Sequence, residues 1–393
     1  MADAAPTSTV AGFPDPVLVR DAILGPLFPA SHPACVAGFA ETPGIKLTHK
    51  RADSEDGCLD RLEVHAPEGD RDGFPVVSGP ALYAGPFFPH FGHMLAECIH
   101  RLWAAKVFPA LHDAQIVFQG METGARPGWV DPVLRLCGID PARVTIVREP
   151  TRFETLYVPE QGRVLGGDIL IPDYLSLFPL APIEPAPSGA SRRLYFSRSR
   201  HIHSGSYLGE SLIEERLADA GFDILHPEEM ALDAVVSRCA AAEMIVFAEG
   251  SAIHNLELCG PVDARILLIG RRGGTDLRFG RLLRPLCKEL RIFPGKRASV
   301  CLDWETEDQP RRGRGCSFVD LPGLIAALSD FTGTDLPIPD EATQRDAVSR
   351  DLLRFLLDPR SGITSNNQQL GRALRAMRED PEIQALIAPL QLR

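Results

Sequence analysis

A histidine and a glutamate four residues apart are the first side chains in this sequence with an evident chemical use. His93 and Glu97 lie within PHFGHMLAECIHRLW, residues 89–103, and this spacing places both on one side of a helix. A carboxylate can orient an imidazole, whose ordinary pKa of about 6.5 suits a general base near neutral pH. A solvated helix face with a salt bridge has the same spacing, so the residues alone leave both interpretations open.

The remainder of this segment predicts an amphipathic helix. Its apolar residues recur at helical spacing and are expected to be buried, while polar residues occupy the opposite face. Glu97 and Arg101 are also four apart and could touch. A metal site is not favoured, because His93 and His100 are seven residues apart and no second acidic cluster accompanies them. The expected buried stripe is Phe91, Met94, Leu95, Cys98 and Leu102, and the expected polar face is His93, Glu97, His100 and Arg101.

Two arginines in SRRLYFSRSRHIHSG, residues 191–205, form a second candidate site. Arg198 and Arg200 follow the predicted strand Arg193–Phe196, at the edge of a parallel sheet where ligands bind. A guanidinium group binds phosphate oxygens through two parallel, charge-assisted hydrogen bonds. The alternative interpretation is a basic, solvated loop.

A turn at Glu249-Gly250-Ser251 forms the third candidate site. The apolar run Met244–Ala248 predicts a buried strand, and a helix is predicted over Ser251–Leu258. Free amides and the positive end of a helix at such a turn favour phosphate binding. His254 and Asn255 would then lie in the first helical turn, within reach of a diphosphate or a sugar. An ordinary strand-to-helix connection capped by Ser251 fits the same pattern.

Several common catalytic motifs are missing from the sequence. No GxGxxG follows a strand, which disfavours a nicotinamide or flavin enzyme, and there is no GxxxxGK[ST] or GxSxG. Asp70 and Asp72 form the one Asp-x-Asp, but EGDRDG is typical of a polar hairpin tip.

The order of predicted elements indicates an α/β protein with two domains. After an irregular lead-in to about Ala40 and short strands over Leu47–Val77, helices and strands alternate twice, which predicts two parallel sheets covered by helices. A ligand cleft is expected between the domains. The expected divisions are an α/β domain with the irregular lead-in (1–178), a proline-rich linker (179–191), a Rossmann-like domain (192–300), and a loop with C-terminal helices (301–393). The predicted elements of the first domain are a helix near Phe91–Phe108, strand Gln115–Phe118, helix Trp129–Cys137, and strands Arg143–Val147 and Thr155–Val158. Those of the second are strand Arg193–Phe196, helix Gly209–Ala220, strand Phe222–Leu225, helix Met230–Ala242, strand Met244–Ala248, helix Ser251–Leu258 and strand Ala264–Ile269.

Composition and charge limit the class of partner. The 393 residues carry a net charge of −11, which argues against attraction of the whole protein to nucleic acid or to an anionic membrane. Residues 190–300 nevertheless hold 16 Lys and Arg against 14 Asp and Glu, which fits a local anionic ligand, although arginines in loops would give the same sum. The 9 cysteines form no CxxC pair and predict reduced thiols. Without a secretory signal or a membrane span, a cytoplasmic protein is expected, with at most peripheral membrane contact.

Four segments, in order, resemble glycosyltransferase family 61. They are GHMLAECIHRLW, CGIDPARVTIVREPTRFETLYVP, LYFSRSRH and AEMIVFAEGSAIHN, and the resemblance covers roughly Gly85–Arg271. Met94 stands where the family usually has tryptophan, the turn reads AEGS where many members have PHG, and His254 replaces a threonine of several members. The bacterial capsule-type members are the expected subgroup.

The resemblance implies a GT-B-like fold and an inverting, metal-independent transfer without a cofactor. The implied donor is a nucleotide sugar, expected to be a UDP-sugar, and the acceptor is a glycan. Residues 1–178 would form the acceptor-side domain, and residues 192–300 would bind the nucleotide sugar. His93 and Glu97 would be catalytic, and Arg101, Arg198, Arg200, Glu249, Gly250, Ser251, His254 and Asn255 would bind substrate. Two other interpretations remain open: the protein could be a nucleotide-sugar epimerase of similar fold, or a non-catalytic partner that binds a nucleotide sugar.

Overall fold

The computed structural model divides the chain into two compact units. The first is Met1–Glu184 together with His254–Pro261, and the second is Pro185–Ile253 together with Val262–Arg393. The residues that the structure describes are 8–29, 71–121, 123–272, 274–294, 296–300 and 315–361, with short strand segments at 36–37, 40–41, 52–54, 57–58, 304–306 and 309–310.

The first unit contains a mixed, six-stranded sheet. Its strands are β1 (Val17–Leu24), β2 (Ala40–Glu41), β3 (Val76–Pro86), β4 (Gln115–Gln119), β5 (Val144–Val147) and β6 (Thr151–Val158). They lie in the order β2-β1-β6-β3-β4-β5. The pairs β6–β3, β3–β4 and β4–β5 are parallel, whereas β1 is antiparallel to both β2 and β6.

The second unit contains a parallel, five-stranded sheet. Its strands are β7 (Arg193–Phe196), β8 (Asp223–Leu225), β9 (Met244–Ala248), β10 (Val262–Ile269) and β11 (Cys287–Phe293), in the order β8-β7-β9-β10-β11. Every neighbouring pair is parallel. Because the carboxyl ends of parallel strands meet at one edge, the residues after β7, β9 and β10 lie side by side. A separate antiparallel pair joins β12 (Lys296–Val300) to β13 (Cys316–Val319).

Helices pack around both sheets. They are α1 (Phe91–His93, continued by π-helical turns over Met94–Cys98), α2 (Trp103–Val107), α3 (Val130–Leu136), α4 (Glu210–Asp219), α5 (Leu232–Ala241), α6 (Leu256–Cys259), α7 (Arg281–Leu283), α8 (Leu321–Thr332) and α9 (Glu341–Leu357). Further π-helical turns cover Asp276–Gly280, and 3-10 helices cover Ser199–Ser204 and Ser251–Asn255.

The core of the second unit ties its C-terminal helices to its sheet. Buried side chains of α8, including Leu324 and Leu328, belong to one cluster with Val246 and Leu267 of the sheet. Asp351 of α9 is buried, and its carboxylate accepts hydrogen bonds from the backbone amides of Gly209 and Ser211 at 2.9 and 3.3 Å. These amides open α4 and have no partner within that helix, so Asp351 caps it from another part of the chain.

The α/β class predicted from the sequence is confirmed, and most predicted elements are present within two residues of their predicted ends. Two expectations about the first unit are wrong. The lead-in before Ala40 is not irregular, because Val17–Leu24 forms a strand of the main sheet. That strand also makes the sheet mixed rather than parallel. Most of the strands expected over Leu47–Val77 lie outside the described residues, and so does the part of the expected C-terminal helical region that follows residue 361.

None of the helices that the structure describes combines the length and the apolar character that a membrane span needs. Six cysteines within that part are free thiols, namely Cys98, Cys137, Cys239, Cys259, Cys287 and Cys316.

Candidate active site

The predicted contact between His93 and Glu97 is present in the first unit. Nδ1 of His93 lies 2.5 Å from Oε1 of Glu97. The histidine side chain is 41% exposed, whereas the glutamate side chain is fully buried. Because Nδ1 is held by the carboxylate, Nε2 is the ring nitrogen that can accept a proton from a substrate. This is the arrangement of an oriented general base.

The π-helical turns over Met94–Cys98 change which residues this segment buries. A π-helical turn bonds residue i to i+5, as in the hydrogen bond from the amide of Ile99 to the carbonyl of Met94 at 3.2 Å. The expected polar face is therefore not solvated: Glu97, His100 and Arg101 are all at most 3% exposed. The amphipathic pattern predicted from the sequence is wrong for these three residues, because the segment is enclosed on more than one side.

Arg101 and His100 both contact other parts of the first unit. Nε of Arg101 donates to the carbonyl of Pro159 at 3.2 Å, and its guanidinium lies 5.7 Å from the centre of the Tyr83 ring. Nδ1 of His100 lies 3.0 Å from the hydroxyl of Tyr174. Burial lowers the pKa of His100 to about 4, against the opposing charge of Glu257. His100 is therefore neutral at physiological pH.

His254 and Asn255 belong to the first unit, although the sequence grouped them with Gly250. They open the segment His254–Pro261, which is held there by a buried ion pair between Arg163 and Glu257. Nη1 of Arg163 lies 2.5 Å from Oε2 of Glu257, and Nδ1 of His254 lies 3.9 Å from Oε1 of the same carboxylate. Burial raises the pKa of Glu257, but the charge of Arg163 and the contact with His254 outweigh it and the pKa is lowered overall.

His90 is a further histidine of this unit that the sequence reasoning missed. Its ring centre lies 5.0 Å from that of His93. Burial lowers the pKa of His90, with further lowering by His93 and His254 and an opposing effect of Glu97. The dipeptide Pro89-His90 directly before the helix was the available signal. The charges of His93, His254 and Glu97 therefore all act on the pKa of His90.

In the second unit, Arg198 lies directly against Gly250. Arg198 follows β7, Gly250 follows β9, and these two strands are neighbours in the sheet. A Cβ atom built on Gly250 would lie 3.0 Å from Cζ of Arg198 and closer still to Nη1. Nε of Arg198 donates to the carbonyl of Gly205 at 2.9 Å, which fixes the side chain in this position. The structure therefore places Arg198 at the end of a parallel strand, as predicted, and brings it into contact with the turn at Gly250.

Arg200 does not share this environment. It is exposed on the 3-10 helix Ser199–Ser204, and its guanidinium forms an ion pair with Glu229. Ser199 separates the two arginines and turns the chain away after Arg198. The structure therefore brings Arg198 to the strand ends with Gly250 but not Arg200.

Glu249 is fully buried and surrounded by hydrogen-bond donors. Its carboxylate accepts from the amides of Arg271 and Arg272 at 2.9 and 3.2 Å, and from Nε of Arg272 at 2.5 Å. The hydroxyl of Thr275 donates to it at 2.7 Å. Although burial raises the pKa of Glu249, Arg272 and these donors lower it overall. The carboxylate therefore shapes the loop that follows β10.

Two arginines on that loop, Arg271 and Arg272, were missed by the sequence reasoning. Nε of Arg271 donates to the carbonyl of Glu249 at 2.8 Å, and the hydroxyl of Ser317 donates to the carbonyl of Arg271. Burial, Arg198 and Arg272 together lower the pKa of Arg271 to about 9, so it remains charged at neutral pH. Burial lowers the pKa of Arg198; Glu210 opposes this and Arg272 adds to it. The signal was the pair Arg271-Arg272 directly after an apolar strand.

The strand ends of the second unit thus collect three mutually repelling arginines around a glycine turn. Like charges that are buried together are destabilising unless an opposite charge compensates them. Glu249 compensates Arg272 directly. Glu210 accepts from the backbone amide of Arg198 at 2.7 Å, but no described carboxylate forms an ion pair with the Arg198 guanidinium. An anionic group bound at this edge would neutralise the remaining positive charge of the arginines. Within the described ranges, no cluster of three or more His, Cys, Asp or Glu side chains could hold a metal ion.

Comparison with known protein families gives a match, and it covers the part of the chain that contains the predicted site residues. The model of the family described as Glycosyltransferase 61 matches residues 91–266. The chain carries a glycosyltransferase family 61 domain. The family indicates a glycosyltransferase, which acts on a donor and an acceptor sugar substrate. All ten site residues predicted from the sequence lie within the matched range, and Arg271 and Arg272 lie just beyond it. No curated protein matches the chain.

Proposed function

We propose that this family 61 glycosyltransferase transfers a sugar from a nucleotide-sugar donor to a hydroxyl group of a glycan, with inversion at the anomeric carbon. The observation that carries the proposal is the group of three arginines around Gly250 at the strand ends of the second unit. The edge of a parallel sheet is where such folds bind nucleotides, and a diphosphate supplies the charge that this edge requires. A UDP-sugar is the expected donor, and polysaccharide synthesis in the cytoplasm is the expected setting.

The second unit would bind the donor. Arg198 and Arg271 would hold the diphosphate together with the backbone amides of the turn at Gly250 and Ser251. As the bond between the anomeric carbon and the phosphate oxygen breaks, negative charge grows on the leaving diphosphate. Arginines already fixed by Gly205 and Glu249 stabilise that charge without reorganising. Glu249 acts as a positioning residue, through Arg271 and Arg272.

The first unit would supply the general base. Nε2 of His93 takes the proton of the acceptor hydroxyl while the hydroxyl oxygen forms the new bond to the anomeric carbon. The imidazolium that results is stabilised by Glu97, which is buried and in contact with Nδ1. His254 and Asn255 lie in the same unit, and we propose that they contact the acceptor substrate or the sugar donor.

The proposal is tested with the full chain, a panel of nucleotide sugars and a set of glycan acceptors, with and without a chelator. The expected result is transfer from one donor, unaffected by the chelator, with inverted anomeric configuration in the product. Arg198→Ala is expected to lose transfer and donor binding, whereas Arg200→Ala, which alters an exposed ion pair, is the matched control and keeps both. Conversion of the donor without any acceptor would instead indicate an epimerase, and donor binding without any reaction would indicate a non-catalytic protein.

A further inference from the structure

One face of helix α9 exposes alternating arginine and leucine side chains. Arg350, Leu353, Arg354 and Leu357 follow one another at spacings that place them on one side of the helix. Leu353 is 47% exposed and Leu357 is 68% exposed. The helix packs into the second unit by its other side, where Leu352 and Phe355 are buried and Asp351 caps α4. The exposed leucines therefore contribute nothing to the described core.

This face borders a groove, here named the arginine–leucine groove. Its volume is about 580 Å³. The opposite side is formed by the 3-10 helix Ser199–Ser204 and by the residues that follow α9. Arg200, Ile202 and Arg360 contribute to that side, so four arginines and three large apolar side chains line one depression.

The residues that line the groove carry a net positive charge, in a chain whose net charge is −11. Arg200 is paired with Glu229, and Arg360 is paired with Asp358. For Arg350 and Arg354, no described carboxylate lies within ion-pair distance. Asp358 is the one acidic side chain among the lining residues of the described groove, against four arginines. The surface is thus complementary to an anion that also carries apolar groups.

We propose that the arginine–leucine groove docks the protein on the surface of a bilayer that contains anionic phospholipids. Arginines bind headgroup phosphates through two parallel hydrogen bonds, and their aliphatic stems lie along apolar surface. Leu353 and Leu357 enter the boundary between headgroups and acyl chains, as the apolar face of an interfacial helix does. Two leucines are too few for stable insertion, so the binding depends on the anionic charge and is reversible. It is independent of the sugar transfer proposed above.

The test is sedimentation of the full chain with vesicles of phosphatidylcholine alone or phosphatidylcholine mixed with phosphatidylglycerol. The expected result is binding to the mixed vesicles only, weakened by added salt because the headgroup charge is screened. Arg350→Glu/Arg354→Glu is expected to reduce binding at least 25-fold, since each arginine near such a surface contributes about fivefold. Leu353→Ser/Leu357→Ser is also expected to weaken it. Arg345→Glu on the same helix and Ile338→Ser, another exposed apolar residue, are the matched controls and should bind normally.

A reporter in the groove separates a free surface from a covered one. In Leu357→Trp, the added tryptophan emission should be quenched by iodide in buffer, then shifted to the blue and protected when mixed vesicles are added. Protection in buffer without vesicles would show that another segment or a second copy covers the groove, and would overturn the proposal. The proposal is equally overturned if the full chain fails to sediment with mixed vesicles, or if Arg350→Glu/Arg354→Glu sediments as the unaltered chain does.

Discussion

The guanidinium group of Arg198 occupies the space that a side chain at position 250 would need. A Cβ on Gly250 would lie 3.0 Å from Cζ of Arg198, and the two residues follow neighbouring strands of the parallel sheet. Glycine is therefore required here by close approach and not by its backbone angles. The position of Arg198, and with it the proposed diphosphate site, depends on the missing side chain.

Gly250→Ala is expected to displace Arg198 while leaving the fold intact. A methyl group at this position collides with the guanidinium group, so the end of the arginine side chain must shift from its present position. The lost charge-assisted contact to the donor should cost about 1.5–3 kcal/mol of binding free energy, or roughly 10- to 150-fold in affinity. Titration of the donor into the variant measures it. Gly128→Ala is the control, because a Cβ there meets no atom within 4 Å.

Glu249→Gln is expected to raise the KM for the donor more than it lowers kcat. The carboxylate holds Arg272 by an ion pair and fixes both backbone amides of the di-arginine segment. An uncharged amide cannot accept from all these donors, so the loop and Arg271 lose their fixed position. Thr275→Val removes one donor to the same carboxylate and should give a smaller change in the same direction. A fall in kcat alone would contradict the positioning role.

Removing one partner of the buried Arg163–Glu257 pair is expected to destabilise the protein. Both side chains are at most 1% exposed, so Glu257→Gln leaves a buried charge uncompensated. The expected loss is about 3–5 kcal/mol in the free energy of unfolding, measured by denaturant titration. The double variant Arg163→Met/Glu257→Met should be closer to the unaltered protein. Arg345→Ala, which breaks an exposed pair with Glu341, should change stability by less than about 1 kcal/mol.

Glu210 is expected to make stability depend on pH between about 4.5 and 7. Burial raises its pKa to about 7, in spite of hydrogen bonds from the Arg198 amide, Ser206 and Tyr195. The folded protein binds the proton more tightly than the unfolded chain, so the contribution to stability is full below pH 4.5 and is lost as pH rises through 7. The lost contribution is about 3 kcal/mol. Glu210→Gln should remove this slope in unfolding measurements across the range; an unchanged slope would contradict the assignment.

Local sequence pattern was sufficient to predict the two strands whose ends carry the proposed donor site. Arg193–Phe196 and Met244–Ala248 have the predicted bounds, because short apolar runs end at polar or glycine residues. The contact of His93 with Glu97 also follows from helical spacing alone. These features depend on residues that are near one another in the chain.

Features set by distant contacts could not be predicted in this way. The burial of Glu97, His100 and Arg101 depends on enclosure by other segments and on π-helical turns that apolar spacing does not encode. The placement of His254 in the first unit depends on the pairing of Glu257 with Arg163, which is 94 residues away. Glu249 was expected to face a ligand, yet it holds Arg271 and Arg272, 22 and 23 residues further on.

The most direct test of the proposed mechanism is the separation of binding from turnover in His93→Ala. Donor affinity and the rate of transfer are measured side by side for this variant, for Arg198→Ala and for the unaltered protein. The expected result is a loss of about 10²–10⁴ in turnover for His93→Ala with donor affinity unchanged, while Arg198→Ala loses both. Full turnover in both His93→Ala and Glu97→Ala would contradict the assignment of the base.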